Sequence, residues 1–165
     1  MSVGPVSRSW VAPVVIAALA ATMVGAVGAT ITELGPWYDG LRKPDWNPPG
    51  PAFGIIWTTV FTLTAAAAVT AWRQTTSSRQ ADTLVWMFAA NGFFNLLWSL
   101  LFFRVHRPDW ALAELILLWL SIAALIVVCG RLSRVAGWLL APYLVWVTIA
   151  GVLNWQVNLL NGPFG

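Results

Sequence analysis

"LILLWLSIAALIVVC", Leu115–Cys129, carries no charged side chain and lies between Glu114 on one side and Arg131 on the other. It is rich in Leu, Ile and Ala and does not alternate polar with apolar positions, so it reads as a helix and not a strand. "LTAAAAVTAW", Leu63–Trp72, has the same character. Lipid offers no water to satisfy backbone groups, so only helices and closed barrels cross a membrane, and barrel strands need the alternation missing here. The expected fold class is therefore all-α, an integral membrane bundle.

Outward from that stretch, the 165 residues are 59% hydrophobic and only 9% charged, with a mean hydropathy of +0.74, against about 25% charged in an average soluble domain. A helical span takes roughly 20 apolar residues. Five charge-poor segments meet that requirement, at about 10–32, 51–72, 83–103, 110–130 and 135–160. They predict one multi-pass domain of five transmembrane helices over residues 1–165. Three short polar connections, 73–82, 104–109 and 131–134, make neighbouring spans antiparallel, whereas 33–50 is long.

Charge excludes one class of partner. The net charge of +3 comes from arginines placed singly or in pairs, with no basic stripe of the kind nucleic acid requires. Arg8, Arg73, Arg79, Arg131 and Arg134 fall on one side, Arg42, Lys43, Arg104 and Arg107 on the other, so sidedness stays open. Arg8 before an apolar run ending "GAVGAT" also admits a signal peptide. The run is longer than a typical signal core, and Ala17, Ala21, Gly25 and Ala29 form a small-residue stripe suited to packing, so a retained helix is expected. The one cysteine, Cys129, cannot form an intrachain disulfide and reads as core.

Polar groups inside spans are the informative marks. Asn91 and Asn95 lie four apart with Trp98 near the same face; they either bond between helices or present carboxamides to a ligand cavity. Glu114, the acid within a span, is a functional candidate by default, but two turns into a helix the dipole and the interface also accommodate it. Phe53, Trp57 and Phe61 make one aromatic stripe; Pro142, Trp146, Ala150 and Leu153 share another face. Both suit ordinary packing or a pocket wall. Of twelve tryptophans, Trp10, Trp37, Trp72, Trp110 and Trp138 near span ends fit an interfacial belt. Trp57, Trp98, Trp119 and Trp146 do not.

His106 is the sole histidine, without a cysteine cluster or carboxylate pair beside it, so neither a metal site nor a nucleophile triad is expected and no catalytic residue is assigned. In "WYDGLRKPDWNPP", Trp37–Pro49, Lys43-Pro44 and Asn47-Pro48-Pro49 hold the chain extended. The result is a semi-rigid segment, either a surface anchor with Arg42 and Lys43 on phosphates or a lid over the bundle.

That motif, followed by "FGIIWTTVF" (53–61), "NGFFNLLWSLLFF" (91–103) and "APYLVWVTIAGVLNW" (141–155), resembles the tryptophan-rich sensory protein and translocator protein family, TspO. The likeness runs from about Trp37 to Asn158. It implies a membrane receptor or sensor, usually dimeric, that binds tetrapyrroles such as protoporphyrin IX or a haem-like ring, with no obligatory cofactor. Related hydrophobic small molecules and membrane lipid are the other implied partners.

In the family the cavity opens under the first loop. The resemblance places Trp57 and Trp146 in the porphyrin pocket, Asn91 and Asn95 facing the ligand, Tyr38, Pro48 and Pro49 in the lid, and Ala150 where drugs approach the fifth span. Phe53, Phe61, Trp98 and Leu153 complete the expected ligand set. The alternatives are a small transporter and a porphyrin-degrading enzyme, the latter using photochemistry at Trp57 and Trp146. The chain departs from its relatives in three places. "GPAF" (50–53) stands where they carry Arg-Trp. No proline follows Trp98, which predicts a straighter third span. "VLNWQVNLL" (152–160) lacks the Tyr and basic residue of the sterol-recognition segment.

Overall fold

The structure is a computed structural model in which residues 11–164 are described; Arg8 and the expected start of the first span at Trp10 lie outside the described residues. The elements are α1 (Val11–Ile31), α2 (Pro36–Gly40), α3 (Gly50–Trp72), α4 (Ser78–Ser99) continuing as a π-helical turn (Leu100–Arg104), α5 (Pro108–Leu132) and α6 (Arg134–Asn161). Five helices, α1, α3, α4 with its continuation, α5 and α6, are long and apolar enough to cross a membrane. The protein is an all-α, multi-pass integral membrane protein.

Local chemistry sets the helix ends. Pro51 and Pro108 sit in the first turns of α3 and α5, where a missing N–H costs nothing. Ser77 accepts from the Gln80 amide at 3.3 Å while Gln80 Oε1 accepts from the Thr76 amide at 2.9 Å, a variant of the capping box that starts α4 at Ser78. Within the lipid-facing spans the hydroxyls of Thr58, Thr59, Thr62 and Thr70 each donate to the carbonyl four residues back, so none is bare.

The spans pack as a closed ring in the order α1, α3, α6, α5, α4 and back to α1, with the α5–α6 contact the most extensive. That contact is tight because both helices offer glycine. A Cβ added to Gly137 would stand 3.0 Å from Gly130 Cα and 3.3 Å from the Ile126 carbonyl. Ser133 alone, in extended conformation, joins the two helices. Inside the ring, Leu118, Ile122, Tyr143 and Val147 form the middle of the core, and Leu125, Cys129, Ala136 and Leu140 the end away from the long loop. Apolar side chains such as Ile55, Trp86, Ile116 and Trp138 point outward, as a lipid-facing surface requires.

Two features differ from the sequence reading. The lack of a proline after Trp98 does not leave a uniform helix. The Val105 amide donates to the Leu100 carbonyl at 2.9 Å and the Arg107 amide to Leu101 at 2.9 Å, and His106 then turns the chain at φ 57°. The widened turn buries two consecutive phenylalanines, Phe102 and Phe103. The long loop is also not extended throughout, because Gly35-Pro36 starts the short helix α2, with Pro36 in its first turn. After Gly40 the chain is irregular, with a turn at Asp45–Trp46 closed by the Asn47 amide on the Pro44 carbonyl at 2.9 Å.

Candidate ligand-binding site

At the loop end of the ring, α3, α4 and α6 splay around a cavity of about 80 Å³ that the loop roofs. Phe53 and Trp57 face it from α3, Trp98 and Ser99 from α4, and Phe102 and Phe103 from the π-helical turn. Trp146, Ala150, Leu153, Asn154 and Val157 give one wall along α6, and Thr32, Leu34, Tyr38 and Asn47 close the top.

The walls are mostly aromatic. Trp57 and Trp146 meet edge to face at 6.3 Å and 87°, Phe53 meets Trp146 at 5.9 Å and 68°, and Trp98 stacks on Phe102 at 5.3 Å. Two of the indoles among them differ in their hydrogen bonding. Trp98 Nε1 donates to Asn154 Oδ1 at 3.2 Å, and Asn154 Nδ2 donates to the Pro108 carbonyl at 2.8 Å, linking α4, α6 and α5. Trp146 Nε1 is buried and has no hydrogen-bond partner among the described residues. A buried donor left in this way costs about 1–3 kcal/mol unless something accepts from it.

The roof is held by its own chemistry. Lys43 Nζ donates to the Tyr38 and Leu41 carbonyls and lies 4.3 Å from the Tyr38 ring centre, so this cation is consumed inside the loop. Burial raises the Tyr38 phenol above its ordinary pKa, and the nearby Asp39 charge adds to that, against a hydrogen bond with Asn47 that lowers it. On the far side of the π-helical turn, Arg107 pairs with Asp109, which holds its guanidinium charged, and rests 4.3 Å over the Trp110 ring.

Of the residues singled out in the sequence, Tyr38, Phe53, Trp57, Trp98, Trp146, Ala150 and Leu153 line the cavity. Phe61 stacks behind Trp57 at 5.3 Å and does not line it. Pro48 and Pro49 follow Asn47 and are not among the lining residues, Pro49 serving as the N-cap position of α3. Asn91 and Asn95 are not in the wall either. Asn91 Nδ2 donates to Ser121 Oγ at 2.9 Å and Asn95 Nδ2 to the Tyr143 hydroxyl at 3.1 Å, so they take the interhelical option. The mid-span Trp119 does likewise, donating to Thr148 Oγ1 at 3.0 Å.

Glu114, two turns into α5, is buried inside the bundle. It is 7% exposed, and neither carboxyl oxygen has a partner among the described residues. Asn47, Ser99, Phe102, Phe103, Asn154 and Val157 line the cavity without having been singled out. Asn154 carried the same signal as Asn91, a carboxamide inside a span. The phenylalanines carried none, because only the π-helical turn brings both inward.

The TspO/MBR family model matches residues 12–160. The chain is 40% identical over 149 residues to the tryptophan-rich sensory protein of Cereibacter sphaeroides, spanning 87% of this chain and 92% of that one. It is 35% identical over 143 residues to protein CrtK of Rhodobacter capsulatus, covering 87% and 89%. A translocator protein from Bos taurus is 34% identical over 155 residues, covering 90% and 91%.

Proposed function

Starting from the fact that this chain belongs to the TspO/MBR family, we propose that it is a membrane receptor for tetrapyrroles and similar flat hydrophobic molecules, held under the loop between α3, α4 and α6. The observation that carries this reading is the aromatic wall with one unsatisfied donor: the Trp57–Trp146 pair, Trp98 opposite, and Trp146 Nε1 buried without an acceptor. Flat rings gain dispersion and edge-to-face contacts on such a surface. A ligand oxygen or nitrogen reaching Trp146 Nε1 would relieve a group that is otherwise left unpaired.

The size of the cavity defines how binding must proceed. At about 80 Å³ it is too small for a porphyrin, since pockets for drug-sized ligands run to about 300–1,000 Å³. Occupation by a porphyrin therefore requires the roof to lift and the indoles to turn. Asn91 and Asn95 act one layer back in this scheme, bracing α4 against α5 and α6 so that the indole wall keeps its position. The test is titration of proteoliposomes with protoporphyrin IX, following tryptophan fluorescence. Saturable quenching at one ligand per chain is the expected result, and quenching that rises only with membrane partitioning, as in empty vesicles, overturns the reading.

A further inference from the structure

The loop is fastened in two different ways along its length. Before Gly40 it is held by side chains packed on the bundle. Trp37 stacks on His106 at 4.2 Å and meets Phe102 edge-on at 5.9 Å, Tyr38 lies 5.7 Å from Phe103, and Glu33 pairs with Arg104 at 3.1 Å.

After Gly40 the ties turn inward. Lys43 bonds the Tyr38 and Leu41 carbonyls, the Asn47 amide bonds the Pro44 carbonyl at 2.9 Å, and Asn47 Nδ2 bonds the Pro48 carbonyl at 3.0 Å. Trp46 is 47% exposed.

Two contacts tie this second half to the bundle: Leu41 packs against the cluster of Phe102, Phe103, Ala111 and Val157, and Asn161 hydrogen-bonds the backbone of Arg42. Asn161, the last residue of α6, accepts from the Arg42 amide through Oδ1 at 2.8 Å and donates through Nδ2 to the Arg42 carbonyl at 2.8 Å. Its other amide hydrogen goes to the Val157 carbonyl at 2.8 Å. Both donors and the oxygen are thus used, and a flipped carboxamide would set donor against donor at Arg42. Val157 lines the cavity, so the clasp sits one helical turn beyond the wall.

We propose that Asn161 is a positioning residue of the site, the catch that holds residues 41–49 and with them Asn47 at the top of the cavity, and that ligands exchange by release of the Arg42 clasp and of the Tyr38–Asn47 bond while α2 stays docked. The inference rests on the ligand-binding reading above. A cavity this small has to widen to admit a ligand, and two solvent-exposed hydrogen bonds that water can replace give way more readily than buried aromatic contacts. The flanking residues suit this motion. Gly40 and Gly50 bound the segment, and a Cβ at Gly40 would meet nothing within 4 Å, so the chain can pivot there.

The test is hydrogen exchange on the full chain in lipid nanodiscs, free of ligand, comparing wild type with Asn161→Ala and Asn161→Asp. Asn161→Ala is expected to speed exchange of the amides of residues 41–43 and 45–47 about tenfold, the size of two exposed hydrogen bonds, with Trp37–Asp39 unchanged. Asn161→Asp keeps the acceptor and loses the donor, so it should fall between. Stopped-flow release of protoporphyrin IX should quicken by the same factor. Equal exchange in wild type and Asn161→Ala, or loosening of Trp37–Asp39 together with the rest, overturns the clasp. Faster exchange of the segment in a protein that binds no porphyrin overturns the ligand reading while supporting the clasp.

Discussion

Trp98 Nε1 and Asn154 Oδ1 lie 3.2 Å apart across the cavity wall, and the Asn154 amide passes the connection on to the Pro108 carbonyl at 2.8 Å. Asn154 is 1% exposed, so each of these bonds replaces one that water cannot supply. Replacing Asn154 with Leu leaves an indole N–H and a carbonyl with one partner fewer, and the expected loss is about 1–3 kcal/mol. Denaturant titration in detergent measures it. Adding Trp98→Phe removes one of the orphans, so the double variant should lose less than the sum of the two singles.

The α5–α6 contact makes a sharper steric case. Gly137→Ala would press a methyl to 3.0 Å from Gly130 Cα, where only backbone is available to move, and should cost about 1–3 kcal/mol. Gly40→Ala meets nothing within 4 Å and should change global stability by less than about 0.5 kcal/mol. Thermal unfolding of the two variants separates them.

Tyr38 ties the roof to alkaline pH. Burial raises its folded-state pKa, with the Asp39 charge adding and the Asn47 bond opposing. Its contribution to loop docking is therefore complete below the unfolded value of about 10 and is lost as pH rises through the folded value. Phenolate absorbance titrated against loop exposure should show undocking only above about pH 10, and Tyr38→Phe should abolish that step.

Glu114 is the buried group with least support. Both oxygens lack a partner among the described residues, and burying an unpaired charge is costly. Glu114→Gln keeps the shape and removes any charge, so it should match or exceed wild type in stability. Glu114→Lys should lose at least about 3 kcal/mol. Unfolding in detergent at neutral pH tests both.

How much of this was legible in the sequence depends on range. The spans were, because length and hydropathy are properties of a continuous stretch. Phe53, Trp57, Trp98, Trp146, Ala150 and Leu153 were readable from their spacing on helix faces, and Tyr38 from the family resemblance. Asn91 and Asn95 read equally well as ligand-facing or bracing, since the partners that decide the matter, Ser121 and Tyr143, lie 30 and 48 residues away. Only the ring order of the helices brings them together. The π-helical turn and the Asn161 clasp were invisible for the same reason. One packs Phe102 and Phe103 against Trp37 and Tyr38 of the distant loop, the other is a contact across 119 residues.

The central claim is that the indole wall binds the ligand, and the most direct measurement is protoporphyrin IX affinity in proteoliposomes for Trp57→Ala and Trp146→Ala, with Trp119→Phe as a control outside the cavity. Loss of one edge-to-face partner and its buried area should weaken binding about tenfold or more in each cavity variant, with Trp119→Phe close to wild type. Affinity unchanged in both alanine variants would contradict the account.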